Sequence, residues 1–339
     1  MNPAQWTEGM TGDWLPVAFM ALMGLAMLIY VVLDGYDLGV GMWMARASAD
    51  ERDVMVASIG PFWDANETWL VLGVGLLLIA FPKAQGVVLG ALYLPVALML
   101  LGLTLRGVAF DFRVKARDAH KALWNRAFIA GSALASLSQG WMLGRYITGF
   151  AEGAWPTAFA GLIALSLSAA YLLLGAGWLI IKTEGALQQR AVRWGKAVWP
   201  VVVVGIGLIS VATPLVSPAV RARWFAMPDF IALLPIPLVT LGALVAARAV
   251  LNSKLVLDRL SALPFFATVL VCAMAGIGLA YSLFPYVVMD RLTVWQAASA
   301  RESLQAIGLG AAITVPAILG YTVFSYRVFR GKASALSYG

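Results

Sequence analysis

The fold class this sequence predicts is an all-α integral membrane protein. It should have nine transmembrane helices, with the N-terminus outside and the C-terminus inside. Three observations lead there. The 339 residues are 61% hydrophobic and only 12% charged, whereas soluble domains run at about 25% charged. Several apolar runs exceed the ~18 residues that mark a bilayer-crossing helix. The basic residues are shared very unevenly between alternate loops, as orientation in a membrane requires.

The apolar runs fall at 15–44, 54–81, 84–110, 123–150, 157–181, 198–216, 230–250, 262–288 and 304–329. Of the 24 Lys and Arg, Lys83, Arg221, Arg223, Arg291 and Arg301 lie between runs on one side, and Arg106 and Arg145 lie inside runs. The remaining 17 lie on the other side or near helix ends there, which makes that side cytoplasmic. An odd number of spans is what opposite termini need. The net charge of +7 therefore reflects cytoplasmic loops, and no nucleic-acid partner is expected. Met1–Glu8 has no basic n-region, so no cleavable signal peptide is expected.

The first run ends in LDGYDLGVG, residues 33–41. Asp34 and Asp37 are three apart and share a helical face, while Gly35 and Gly39 form a small-xxx-small pair that admits a neighbouring backbone. The two acids read either as helix-end groups at the inner surface or as the start of a polar track leading inward.

The second run carries GPFWDANETW, residues 60–69. An acid near the middle of a transmembrane helix costs ~2.5–3.5 kcal/mol on the insertion scale, so it has to face protein or water. Asp64 and Glu67 lie on one face and repel unless a cation stands close. The third run, ending LRGVAFDFR at 105–113, supplies the candidate: Arg106, about two turns inside the boundary, with Asp111 one turn beyond it. At ~1.5 Å per residue, Asp64 would lie ~18 Å from Arg52, and Arg106 ~10 Å from Arg113. This places Asp64 deepest, with Asp34 and Asp37 as its entry. Acids at graded depths suit a proton path; a purely structural ion pair with Arg106 is the plainer alternative.

The fourth run adds Ser136, Ser138, Gln139 and Arg145, and serines there usually bond their own backbone. The fifth ends in WLIIKTEG, 178–185. Runs six to eight hold almost no charge, and Pro214, Pro235, Pro237, Pro264 and Pro285 should kink or end them. Trp6, Trp14, Trp155, Trp224 and Trp295 fall near expected interfaces, as anchoring aromatics do. Residues 30–46 and 171–185 hold similar places in each half, a loose hint of a four-plus-four repeat. Redox machinery is not in evidence. His120 sits among Arg117, Asp118 and Lys121 in a basic loop, so no histidine is placed to hold a haem in the membrane. Cys272 lies in an apolar run and reads as a core residue. No metal or cofactor is expected on this chain.

Together these stretches, with SLFPYV at 282–287 and LTVWQAA at 292–298, resemble subunit II of the cytochrome bd-type quinol oxidases, a family that includes cyanide-insensitive members. Ala65 stands where many members have glycine and Tyr36 where many have phenylalanine; neither change removes a proton-carrying group. The resemblance implies a bacterial inner-membrane chain built as one membrane domain. It would hold two four-helix bundles, 15–150 and 157–288, and a peripheral helix at 304–329. It implies a partner, subunit I, which binds b-type and d-type haems and quinol. The complex would oxidise quinol, reduce oxygen to water and draw protons from the cytoplasm, generating a proton-motive force. Asp37 and Asp64 would belong to a hydrophilic channel towards the haems. A small single-helix accessory subunit and a structural quinone or lipid are compatible with the same resemblance. A secondary transporter or a passive scaffold subunit remain the rival readings.

Overall fold

The computed structural model describes residues 13–115 and 118–333. Met1–Glu8, Trp6 among them, and Arg117 lie outside these. The long helices are α1 (Leu15–Trp43), α3 (Trp63–Ala80), α5 (Tyr93–Lys115), α6 (Asp118–Ile147), α7 (Ala154–Lys182) and α8 (Gly185–Val216). They continue with α11 (Pro235–Asn252), α12 (Leu263–Leu283) and α14 (Arg301–Val328). Shorter helices are α2 (Ala49–Ile59), α4 (Pro82–Ala91), α9 (Pro218–Trp224), α10 (Asp229–Leu233) and α13 (Val294–Ala297). Among the described residues, eight helices are long and apolar enough to cross a membrane. The 30-residue α6 has the length but carries Asn125, Arg126, Gln139 and Arg145.

Three of the expected runs are interrupted, each next to a proline; 230–250 divides at Leu234, just before Pro235. The 54–81 run divides into α2 and α3, because Pro61 has no N–H to bond the Ala57 carbonyl. The chain turns instead with Phe62 N–H on Ile59 O, and α3 restarts with Asn66 N–H on Phe62 O. Asp64 thus sits in the first turn of α3 and not midway along a span, which overturns its expected place as the deepest acid. The 84–110 run divides at Leu92, where Pro95 leaves the Ala91 carbonyl without its helical partner. The third crossing is then Tyr93–Arg113. α2 begins with a capping box: Ser48 N–H donates to Glu51 at 2.8 Å and Ser48 Oγ accepts from Glu51 N–H.

Pro285 ends α12, and the chain forms a two-stranded antiparallel hairpin, β1 (Tyr286–Val288) with β2 (Leu292–Thr293). This local β structure was not expected.

α1 is the central element, packed on α3, α6 and α7, while α5 packs on α6 and α7 on α8 and α12. At the α1–α7 crossing the backbones touch. A Cβ on Gly39 would lie 1.8 Å from the Tyr171 carbonyl oxygen, and one on Gly175 2.5 Å from the Gly39 backbone. The segments that hinted at a repeat therefore pack on each other. Such contact is how membrane helices bind when burial from water offers no driving force. Ser136 donates to Ser168 at 2.7 Å across α6 and α7, so this serine bridges helices and does not bond its own.

The segment that follows α14 is clasped at the end of α7. Lys182 Nζ donates to Phe329 O at 2.5 Å and Gly331 O at 2.7 Å, and Lys332 Nζ returns a bond to Thr183 O at 2.9 Å. Trp14 and Trp155 stay exposed, as anchors do. Trp224 and Trp295 instead donate to Ser282 and to the Asp13 carbonyl.

Candidate functional site

α1 carries its polar residues inward. With Gly35 and Gly39 against α7, the helix comes close enough to its neighbours that Asp34 and Asp37 are both 0% exposed. They are not helix-end groups at the surface. Asp34 is met from α5 by Arg106, itself 1% exposed, whose Nη1 donates to Asp34 Oδ1 at 2.7 Å. The other arm, Nη2, donates to Glu67 Oε1 of α3 at 2.8 Å. One planar guanidinium therefore ties α1, α3 and α5 together, a geometry its rigid fork suits and a lysine would not. The Trp63 ring lies 5.8 Å from its centre.

Asp37 faces a second group. Asn66 of α3 donates to Asp37 Oδ2 at 2.8 Å and to the Tyr36 hydroxyl at 2.9 Å, with the Leu33 carbonyl oxygen also within reach of its amide nitrogen at 3.2 Å. Tyr326, from α14, donates to Asn66 Oδ1 at 3.1 Å, so the 2.6 Å bond between the two hydroxyls runs from Tyr36 to Tyr326. The three side chains close a ring among themselves, and Asn66 joins it to one oxygen of Asp37. The other oxygen, Oδ1, is buried with no hydrogen-bond partner among the described residues. Behind Asp34, Gln139 links two more phenols, donating to Tyr30 and accepting from Tyr171, both at 2.7 Å.

Of the residues expected at the site, Asp34, Asp37, Glu67 and Arg106 are brought together. Asp64 is not. It is exposed and makes no ion pair with Arg106, whose two arms are taken by Asp34 and Glu67. The reason is the break at Pro61, which moves Asp64 to the start of α3, one turn from Glu67. Asp111 is also exposed and stands apart. Asn66, Tyr36 and Tyr326 belong to the site without having been singled out. Asn66 lies within the GPFWDANETWL stretch, but Tyr326 is 260 residues away and no local signal marks it. At the foot of α5, Arg113 donates to Asn125 at 2.6 Å and to Asp53 at 2.5 Å, a separate pair nearer the helix end.

A family model described as cytochrome bd terminal oxidase subunit II matches residues 15–329. The chain belongs to this family. Cytochrome bd ubiquinol oxidase subunit 2 of Bacillus subtilis is 28% identical, over 92% of this chain and 95% of that protein. Cytochrome bd-I ubiquinol oxidase subunit 2 of Escherichia coli is 27% identical, over 92% and 93%. A probable cytochrome oxidase subunit 2 of Haemophilus influenzae is 26% identical, over 95% and 96%. A chain in the structure of bd oxidase from Geobacillus thermodenitrificans shares the fold, with a TM-score of 0.75 at 16% identity, covering 94% of this chain and 99% of that one. As a subunit II, the chain is a multi-pass membrane component of an oxidoreductase complex. Its buried acids therefore sit in a subunit of an oxidoreductase complex.

Proposed function

We propose that this chain is the haem-free subunit of a quinol:O2 oxidoreductase, paired with a haem-bearing subunit I, and that its buried acid cluster takes up protons from the cytoplasmic side. The carrying observation is the charge count at the cluster. One guanidinium, Arg106, stands among three carboxyl groups, Asp34, Asp37 and Glu67, and Asp34, Asp37 and Arg106 are at most 1% exposed. Uncompensated charge is costly in such a place. The cluster is balanced only while it holds protons, and a site that must hold protons can pass them on. Asp64 extends the reading outward. It is exposed on α3, a helix that also exposes Val71, Leu78 and Ile79; a carboxyl group on an apolar face calls for a partner, and subunit I is the partner proposed.

On this reading α6 is the ninth span, the N-terminus is outside and the C-terminus inside. The spans α1, α3, α5 and α6 form one bundle, α7, α8, α11 and α12 a second, and α14 lies at the edge. The single imidazole, His120, is exposed near the start of α6 and away from the cluster. It does not fit an axial ligand inside the membrane, which supports placing the haems in subunit I. Haem bound there would supply the oxygen chemistry; this chain's residues hold and deliver protons. The scaffold reading has one observation of its own, the tie that Arg106 makes between three helices.

Asp37→Asn separates the two. Asparagine keeps the shape and can still accept from Asn66, but it has no exchangeable carboxyl proton. The expected result is an assembled complex with normal haem content and at least tenfold slower quinol oxidation. A complex that assembles and turns over at the wild-type rate from pH 6 to 9 (roughly bracketing the range in which buried carboxyl groups titrate) would leave the cluster as structure only.

A further inference from the structure

Away from the acid cluster, a groove of about 220 Å³ opens between the start of α8 and the end of α11. Its polar lining is Gln189 and Lys196 from α8, Asn252 from α11, and Ser253 and Lys254 from the turn that follows; among the described residues no carboxylate lines it. Lys196 and Lys254 are in no ion pair among the described residues. Arg190, in the same part of α8, is by contrast paired with Glu51 at 2.9 Å. Arg248 flanks the groove, with its guanidinium 5.2 Å from the Trp199 ring and Nη1 donating to the Lys196 carbonyl at 3.1 Å. The groove is cationic and uncompensated.

Its continuation into the membrane is apolar. At helical spacing, the face of α11 that ends in Asn252 runs back through Val245, Leu241 and Leu238, all exposed. On α8 the face of Lys196 continues through Val203 and Gly207 to the exposed Val211. A Cβ on Gly207 would meet nothing within 4 Å, since this glycine lies on the exposed surface of α8. Trp199 crosses the gap to donate to the Leu244 carbonyl at 3.0 Å, which fixes the spacing of the two helices. Cations at one level with exposed apolar helix faces above them match a molecule with an anionic head and long hydrocarbon chains.

We propose that this groove binds an anionic glycerophospholipid of the cytoplasmic leaflet. Its phosphate lies between Lys196 and Lys254, and one acyl chain lies along Leu238, Leu241 and Val211. The leaflet follows from the charge-derived orientation, and the site is independent of the proton path. A free phosphate would use the lysines but leave the apolar faces above them uncovered, so the lipid is the occupant that fits both.

The test uses the purified, delipidated oxidase complex in detergent, titrated with dioleoylphosphatidylglycerol and read by native mass spectrometry. Each lysine near an anionic headgroup should account for roughly a fivefold change in affinity. Lys196→Gln and Lys254→Gln should each weaken the tightest bound lipid about fivefold and together about thirtyfold. Lys83→Gln/Arg221→Gln removes the same charge from the opposite loops and should leave binding unchanged. Dioleoylphosphatidylcholine should bind the wild type and the lysine variants alike. The proposal is overturned if the lysine pair binds phosphatidylglycerol as the wild type does, or if phosphatidylcholine binds the wild type equally tightly. Displacement of the lipid by inorganic phosphate at equal concentration would also overturn it, because the lysines would then be a site for a free anion.

Discussion

Arg106 is the residue whose removal tests the site most directly. It donates to Asp34 at 2.7 Å and to Glu67 at 2.8 Å. Replacing it with methionine keeps an unbranched side chain but leaves Asp34, which is 0% exposed, without its cation. Glu67 fares better, because 30% of its side chain reaches the surface. Removing one partner of a buried pair costs about 3–5 kcal/mol, which is about two to three and a half powers of ten in the folded-to-unfolded ratio. Arg106→Met should therefore lower the melting temperature of the purified complex, followed by tryptophan fluorescence, and reduce the assembled amount in membranes. Asp34→Asn/Arg106→Met takes away both charges and should recover part of the loss, with a coupling of about 2 kcal/mol in the double-mutant cycle. Asp64→Asn/Arg106→Met should recover none, since Asp64 is exposed and unpaired with Arg106. Equal rescue by the Asp64 and Asp34 substitutions, or an Arg106→Met complex that melts with the wild type, would refute this account of the pair.

The other predictions address packing, the α14 contact and orientation. Gly39→Ala puts a Cβ 1.8 Å from the Tyr171 carbonyl oxygen, a backbone atom that has nowhere to move. The loss should exceed the ~1–3 kcal/mol of ordinary overpacking and abolish assembly as seen on a native gel, whereas Gly242→Ala, with open space around it, should assemble normally. Tyr326→Phe leaves the buried Asn66 carbonyl oxygen without a donor, at about 1–3 kcal/mol. Its melt should fall accordingly, while Tyr321→Phe, on an exposed ring, should melt with the wild type. An alkaline phosphatase fused after Lys332 should be inactive, and one fused within 152–156 active; the opposite pattern would invert the cytoplasmic assignment of the acid path.

The sequence by itself determined what composition and spacing control. Long apolar stretches with few charges have one stable solution in a bilayer, the helix, because every backbone group must be bonded within its own segment. The class and the approximate place of each long helix followed from that. The charge asymmetry of the loops supplied an orientation, and the spacing of Gly35 and Gly39 announced a close crossing. The same spacing arguments identified Asp64, Glu67 and Arg106 as groups that had to be sheltered, and left Asp34 and Asp37 open between the inner surface and the interior. What sequence did not determine was which of them meet. Periodicity assigns a residue to a face of its own helix but says nothing of the rotation or depth of that helix against its neighbours. It also treated 54–81 as one rod, so a single proline was enough to move Asp64 from the centre of the site to its edge. Only the tertiary arrangement put Arg106 between Asp34 and Glu67, and only it carried Tyr326, 260 residues distant from Asn66, to the buried ring beside Asp37. Contacts of that range are set by how the helices stack, and the packing that sets them, backbone against backbone at Gly39 and Gly175, is a property of two distant segments together and of neither alone.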